Sequence, residues 1–287
     1  VTGQELGRDG GMLQGAVGIV RRVEVDGCAA VEKRMADPAR HRTELRALAA
    51  LADSGLPVPR ILRDTPGSII MTLIPGDRAD RLDSDERLAA LRASARLLRR
   101  LHDLTPPDGL APAPDDESLE RRYAEAGGPP LPLAVPASSG RAFCHGDWAD
   151  GNLLVEGGRI TGVVDWEAAH VGDPMRDLSR FAWHASRKDA RAFEAIVESY
   201  GADPATAAAW APVHAAELWL WFREKGPPEF LDALTAELVR GRGVTSGAAA
   251  PAADQRRRGV SADDGQPRAN DGGRGSGRGR LEIDERD

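Results

Sequence analysis

The chain of 287 residues carries 38 basic and 45 acidic residues, a net charge of −7, with 41% hydrophobic and 29% charged residues. That balance excludes a collagen-like or wholly disordered chain and argues against general affinity for nucleic acid. No apolar run is long enough to cross a membrane. Val1–Glu5 lacks the basic-then-apolar order of a signal peptide, so a cytoplasmic protein is expected.

Glycines 7, 10, 11, 15 and 18 precede the first strand pattern and suit either a phosphate-approaching loop or plain turns. Ile19–Val25 partly alternates apolar and polar residues, Asp26-Gly27 is a hairpin turn signal, and Cys28–Met35 returns as the next strand. Asp37-Pro38 opens a helix with Leu45, Leu48 and Leu51 at helical spacing, and Gly55 ends it. Val58–Leu62 and Ser68–Leu73 read as two further strands, and Pro75-Gly76 breaks the chain after them. A strand lysine, Lys33, and a helix glutamate, Glu44, are ordinary surface choices unless later residues give them a task.

Asp83 with Glu86 three residues on resembles a capping box, and Leu88, Leu91, Ala95, Leu98 and Leu101 continue an amphipathic helix to about Asp103. The segment 105–139 is rich in Pro and acids, with a short helix around 116–126. Leu153–Val155 and Ile160–Val164 flank Gly157-Gly158 as a second hairpin. A charged loop, His145-Gly146-Asp147-Trp148-Ala149-Asp150-Gly151-Asn152, precedes it, and Asp165 ends it. The hairpin would bring the Asp147–Asn152 loop close to Asp165, so that two carboxylates and an amide converge.

Hard oxygen ligands suit Mg²⁺ shared with substrate phosphates, which makes Asn152 and Asp165 candidate metal ligands. Asp147 is then left to orient an alcohol and accept its proton. This division of labour, with the spacing from Asp147 to Asn152, fits the phosphoryl-transfer template of kinases. On that template Lys33 contacts the α- and β-phosphates and Glu44 holds it by a charge-assisted hydrogen bond.

His145-Gly146-Asp147 with Asn152, then Asp165-Trp166-Glu167, then Gly172-Asp173-Pro174-Met175-Arg176-Asp177-Leu178, resembles the aminoglycoside phosphotransferase family of small-molecule kinases. The resemblance implies an α+β, bilobal protein-kinase-like fold: a small antiparallel-sheet lobe over 1–74 that binds nucleotide, and a mostly helical lobe over 75–240 with catalytic loop and substrate site. It implies Asp147 as catalytic base, Asn152 and Asp165 on Mg²⁺, Lys33 with its partner Glu44 on ATP, and Met71, Thr72 and Leu73 under the adenine. Asp177 would brace the catalytic loop. Asp165-Trp166-Glu167 in place of Asp-Phe-Gly points away from protein substrates.

Residues 207–225 and 229–240 read as the last helices. In the resembled family, acids of this region face amino-bearing antibiotics, which makes Glu217 and Glu224 candidate substrate contacts. Asp150 reads as an exposed loop acid, His145 as a loop brace and Cys144 as a buried strand residue. Beyond Gly241 the composition shifts to Gly and Arg with few large aliphatics, and a disordered tail over 241–287 is expected. Three readings compete: a kinase inactivating a basic antibiotic (an aminoglycoside or viomycin-type cyclic peptide), a metabolic kinase for choline, a sugar or an amino alcohol, and a non-catalytic nucleotide-binding protein.

Overall fold

A computed structural model describes residues 13–14, 18–113 and 116–241. The glycines up to Gly15 and the tail expected beyond Gly241 lie outside the described residues.

The first hairpin joins β2 (Gly18–Val25) to β3 (Cys28–Met35). Its turn residues Asp26 and Gly27 both have positive φ, 51° and 78°, the conformation that matches the twist of a two-residue hairpin. With β1 (Leu13–Gln14), β4 (Ile61–Thr65) and β5 (Ser68–Thr72) they form an antiparallel sheet in the order β1-β2-β3-β5-β4. Between β3 and β4 comes α1 (Pro38–Leu51), capped by Asp37, whose Oδ1 accepts from the Ala39 N–H at 2.8 Å. The strand expected from Val58 begins instead at Ile61. Pro57 and Pro59 have no N–H to give a ladder, and the Pro57 carbonyl accepts from the Val163 N–H at 2.7 Å.

After the short strand β6 (Asp77–Arg78), α2 (Ser84–His102) buries Leu91, Ala95, Leu98 and Leu101 completely. Asp83 caps it through the N–H groups of Asp85 and Glu86 at 3.1 and 2.9 Å. Then follow α3 (Asp116–Glu125), β7 (Ala142–Cys144), and the second hairpin, β8 (Leu153–Glu156) with β9 (Arg159–Val163). β6 joins β8 and β9 in a three-stranded sheet, while β7 pairs with β10 (His170–Gly172).

The remaining described chain is helical: α4 (Pro174–Ser186), α5 (Arg191–Tyr200), α6 (Pro204–Ala208), α7 (Ala211–Lys225) and α8 (Pro228–Val239). The single helix expected over 207–225 is two. Asp203 caps the first, and Pro212, which lacks an N–H, sits in the opening turn of the second. α4 and α5 are helices beyond those expected from the sequence, although Asp173-Pro174 repeats the helix-opening pair Asp37-Pro38 and Phe193, Ile196, Val197 and Tyr200 recur at helical spacing. Among the described residues, no helix is long and apolar enough to cross a membrane.

Asp173 does double duty. It caps α4 through the Met175 N–H at 2.7 Å and takes the Ser139 N–H and hydroxyl, each at 2.6 Å. Asp173→Ala is expected to cost about 1–2 kcal/mol, the usual range for a lost N-cap, read as a lower urea midpoint at unchanged denaturant slope.

Candidate active site

Lys33 stands on β3, an interior strand paired on both sides, opposite Val20 and Ile69. Burial makes its ammonium dependent on partners, and three carboxylates supply them. Nζ lies 2.6 Å from Glu44 Oε2 on α1, 2.6 Å from Asp165 Oδ1 and 3.0 Å from Glu167 Oε2. Burial alone would lower the Lys33 pKa, but Glu44, Asp165 and Glu167 outweigh it and hold the pKa well above the ordinary lysine range. Glu167 is shared: its Oε1 accepts from Arg40 Nη1 at 2.8 Å.

Asp165 follows β9 in the left-handed region, φ 71° and ψ 61°. Burial pushes its carboxyl up, yet the Lys33 ammonium prevails and holds it below the usual carboxylate range. Trp166 anchors the bend: its side chain is fully buried and its Nε1–H donates to the Val163 carbonyl at 2.9 Å.

The loop between β7 and β8 carries Asp147. Gly146 there has φ +79°, and a Cβ at that position would run into the Ala168 carbonyl oxygen, so only glycine fits. His145 is completely buried. Burial keeps its imidazole pKa below the ordinary value, and the neutral ring bridges the loop: Nδ1 accepts from the Asp147 N–H at 3.2 Å while Nε2 lies 3.2 Å from the Val164 carbonyl. Asp177 on α4 takes the His145 N–H at 2.8 Å and the Gly146 N–H at 3.0 Å. His102 Nε2 lies 3.2 Å from the same carboxylate, and His102 Nδ1 meets the Tyr200 hydroxyl at 2.8 Å.

Both oxygens of Asp147 are held. Oδ1 accepts from Arg180 Nη2 at 3.0 Å and Oδ2 from Asn152 Nδ2 at 3.2 Å. Asn152 Nδ2 also donates to the Asp147 carbonyl at 2.8 Å. The Val164 N–H donates to the Asn152 carbonyl at 3.0 Å, which sets Asn152 beside the residue preceding Asp165. The hairpin thus brings the loop and Asp165 together, and Lys33 reaches across from the sheet.

Other expected residues sit elsewhere. Met71 is buried on β5, facing Val31 of β3. Thr72 is engaged with Arg60: its N–H donates to the Arg60 carbonyl at 2.9 Å and its Oγ1 accepts the Arg60 N–H at 3.0 Å. Leu73 follows directly and is half-buried. Glu217 is bound by Arg176, lies 3.7 Å from Arg180 Nη1 and 3.4 Å from His214 Nδ1. Glu224 pairs with Arg122 at 3.1 Å. Asp150 is not the exposed loop acid expected: its side chain is 13% exposed, 2.8 Å from Arg87 Nη2 and 3.1 Å from Lys188 Nζ.

Four participants escape the sequence reading: Glu167, Arg40, Arg176 and Arg180. Glu167 is two residues past Asp165, and the α4 arginines flank Asp177, so recognition of α4 from its Asp-Pro start would have put them on the loop's side. Ser179, His214 and Glu217 line up like a Ser–His–acid triad, at 2.8 and 3.4 Å, but Ser179 and His214 are sealed in the core and meet no substrate.

A sheet lysine paired with a helix glutamate meets the strand-end Asp165 beside the loop that carries Asp147, the arrangement that the resemblance to small-molecule kinases implies. Residues 29–210 match the family described as "Phosphotransferase enzyme family", and the chain belongs to that family. Solved structures share the kinase-like fold at low identity. Aminoglycoside phosphotransferase APH(4)-Ia, in a ternary complex with AMP-PNP and hygromycin B, is 18% identical with a TM-score of 0.59, over 84% of this chain and 94% of that one. Macrolide 2'-phosphotransferase MphH from Brachybacterium faecium is 21% identical with a TM-score of 0.55, over 82% and 90%. Mouse "Acyl-CoA dehydrogenase family member 10" (Mus musculus) is 28% identical in an alignment 169 residues long that covers 47% of this chain and only 16% of that protein's length.

Burial pushes the Asp177 carboxyl up, but the His102 hydrogen bond and the charges of His102 and neighbouring histidines together outweigh it and hold the carboxyl well below its ordinary range. A depressed folded-state pKa means stability that is present above the unfolded value, near 3.8, and is lost as pH falls below it. Melting temperature should therefore drop steeply on acidification below about pH 4. In Asp177→Asn that acid limb should be shallower, from a lower starting Tm. Parallel limbs in the two proteins would contradict the assignment.

Proposed function

We propose that the chain is an ATP-dependent O-phosphotransferase in which Asp147 is the catalytic base and Lys33 the phosphate contact. The observation that carries this reading is the buried Lys33 ammonium at 2.6 Å from both Glu44 and Asp165, which joins the sheet to the hairpin at one point. Lys33 is thereby aimed into the cleft with its charge intact for the α- and β-phosphates. The adenine would lie against the β5 end, over Met71, Thr72 and Leu73. ATP use accords with a cytoplasmic site of action.

Asn152 and Asp165 fit a Mg²⁺ ion. The Asn152 amide group donates through Nδ2 to the Asp147 carbonyl and to Asp147 Oδ2, which leaves its Oδ1 as the acceptor, and Asp165 adds a carboxylate on a left-handed residue, a conformation found where function demands it. Oxygen donors of this kind are those Mg²⁺ takes. Bound there, the ion would neutralise charge on the β- and γ-phosphates. The work of the chain itself is positional. Asn152 and Arg180 fix the Asp147 carboxylate in one rotamer, and Asp147 orients the acceptor hydroxyl in line and takes its proton. The intact set of Lys33, Asp147, Asn152 and Asp165 argues against a non-catalytic role.

Asp147→Ala should lower kcat by about 10²–10⁴-fold, the usual range for a lost general base, with nucleotide affinity retained. Asp165→Ala should bring Mg²⁺-dependent ATP consumption to background. Both are read from the mass gain of one phosphate on the acceptor and from ADP release. Near-full turnover by Asp147→Ala would defeat the proposal.

For the acceptor, the hygromycin B in the APH(4)-Ia complex supports a basic antibiotic, an aminoglycoside or a viomycin-type cyclic peptide. One observation favours the second reading, a metabolic alcohol: Glu217 and Glu224, the acids offered for ammonium groups, are each paired with arginine. Expression in a sensitive host separates the two. Protection against basic antibiotics supports the first. ATP turnover on simple alcohols without protection supports the second.

A further inference from the structure

The acceptor side of Asp147 carries a cation. Arg180 lies one turn beyond Asp177 on α4 and reaches Asp147 Oδ1 at 3.0 Å, with its side chain 32% exposed. It does not swing freely: Glu217 Oε2 stands 3.7 Å from its Nη1. Glu217 is itself held by Arg176 and His214. His214 is fully buried and fixed by Ser179 at 2.8 Å. A chain of partners from the core therefore braces one guanidinium beside Asp147.

A guanidinium so placed has chemical consequences for what can enter. It offers N–H donors in a plane matched to carboxylate or phosphate oxygens. It repels an ammonium brought to the same spot. The local acids give an ammonium no alternative, because Glu217 already faces two arginines and a histidine.

We propose that Arg180 is a specificity-determining residue, and that the acceptor is a small alcohol carrying an oxyanion group, carboxylate or phosphate, close to the hydroxyl that is phosphorylated. This rests on the phosphotransferase reading and on Asp147 as its base. The oxyanion pairs with Arg180 and, in doing so, draws the hydroxyl onto Asp147.

The test is a matched acceptor series with Mg²⁺ and ATP: a short hydroxycarboxylate, a phosphorylated alcohol, a neutral polyol, an amino alcohol and an aminoglycoside. Transfer is followed as the mass gain of one phosphate. The wild type should prefer one of the two anionic acceptors to the amino alcohol by about tenfold or more in kcat/KM, the effect expected of like-charge exclusion. Which of the two wins distinguishes carboxylate from phosphate. Arg180→Glu should invert the preference in kcat/KM, with kcat lower for every acceptor because Asp147 loses its partner, while affinity for an ATP analogue stays unchanged and reports an intact fold. Arg180→Lys, which keeps the charge, should retain the sign of the preference. Turnover with amino alcohols or aminoglycosides preferred, or a preference unmoved in Arg180→Glu, overturns the proposal and leaves the phosphotransferase reading standing. No transfer to any acceptor, with no ATP-analogue binding, overturns both.

Discussion

Lys33 cannot be where it is without its acids. An ammonium on an interior strand loses most of its hydration, and the loss is offset only by close, well-aligned carboxylates. Glu44, Asp165 and Glu167 provide them from α1 and from the segment just beyond β9, at 2.6 to 3.0 Å. The consequence is mechanical as well as electrostatic. The first sheet, the helix that follows it and the second hairpin meet at one nitrogen, so deleting the ammonium would leave three acids facing one another. The cluster also holds more negative than positive charge even with Arg40 counted. An additional cation would relieve that surplus.

Asp177 does for the loop what Lys33 does for the cleft. Its two oxygens take consecutive N–H groups, of His145 and Gly146, and His102 closes on it from the end of α2. Buried N–H groups without partners would be costly, so the loop can take only the course that delivers both to α4. Gly146 makes that course possible, since any side chain there would strike the Ala168 carbonyl. Asp147 follows directly on that braced segment, and Asn152 and Arg180 then fix its carboxylate.

Much of this was legible in the residues. Asp26-Gly27, Asp37-Pro38 and the Asp83 cap mark turns and helix starts by local chemistry, and the structure places those elements within a residue or two. The convergence of the Asp147–Asn152 loop with Asp165 followed from a Gly-Gly hairpin between them. Local chemistry failed where tertiary contacts decide. Val58–Arg60 lies between partners that pull it off the ladder: the Pro57 carbonyl goes to Val163 of the second hairpin, Pro59 has no N–H, and the Arg60 N–H donates to the Thr72 side chain. α4 and α5 are a different case: on α5 Phe193, Ile196, Val197 and Tyr200 are buried while Arg191, Glu194 and Glu198 are exposed, so a helical period was there to read.

The same limit governs the charged residues, and it explains which of them misled. Spacing shows where a carboxylate can be. It does not show what already neutralises it. Glu217 and Glu224 sit on one helix at positions that would face a polycation, yet α4 and α3 bring arginines to both. Asp150, read as exposed, is drawn in by Arg87 and Lys188 from opposite sides. An acid contributes to ligand recognition with the charge left after its own neighbours are counted. By that measure the acidic face expected of the substrate region is electrically close to neutral, and the cation that stands beside Asp147 is the guanidinium of Arg180.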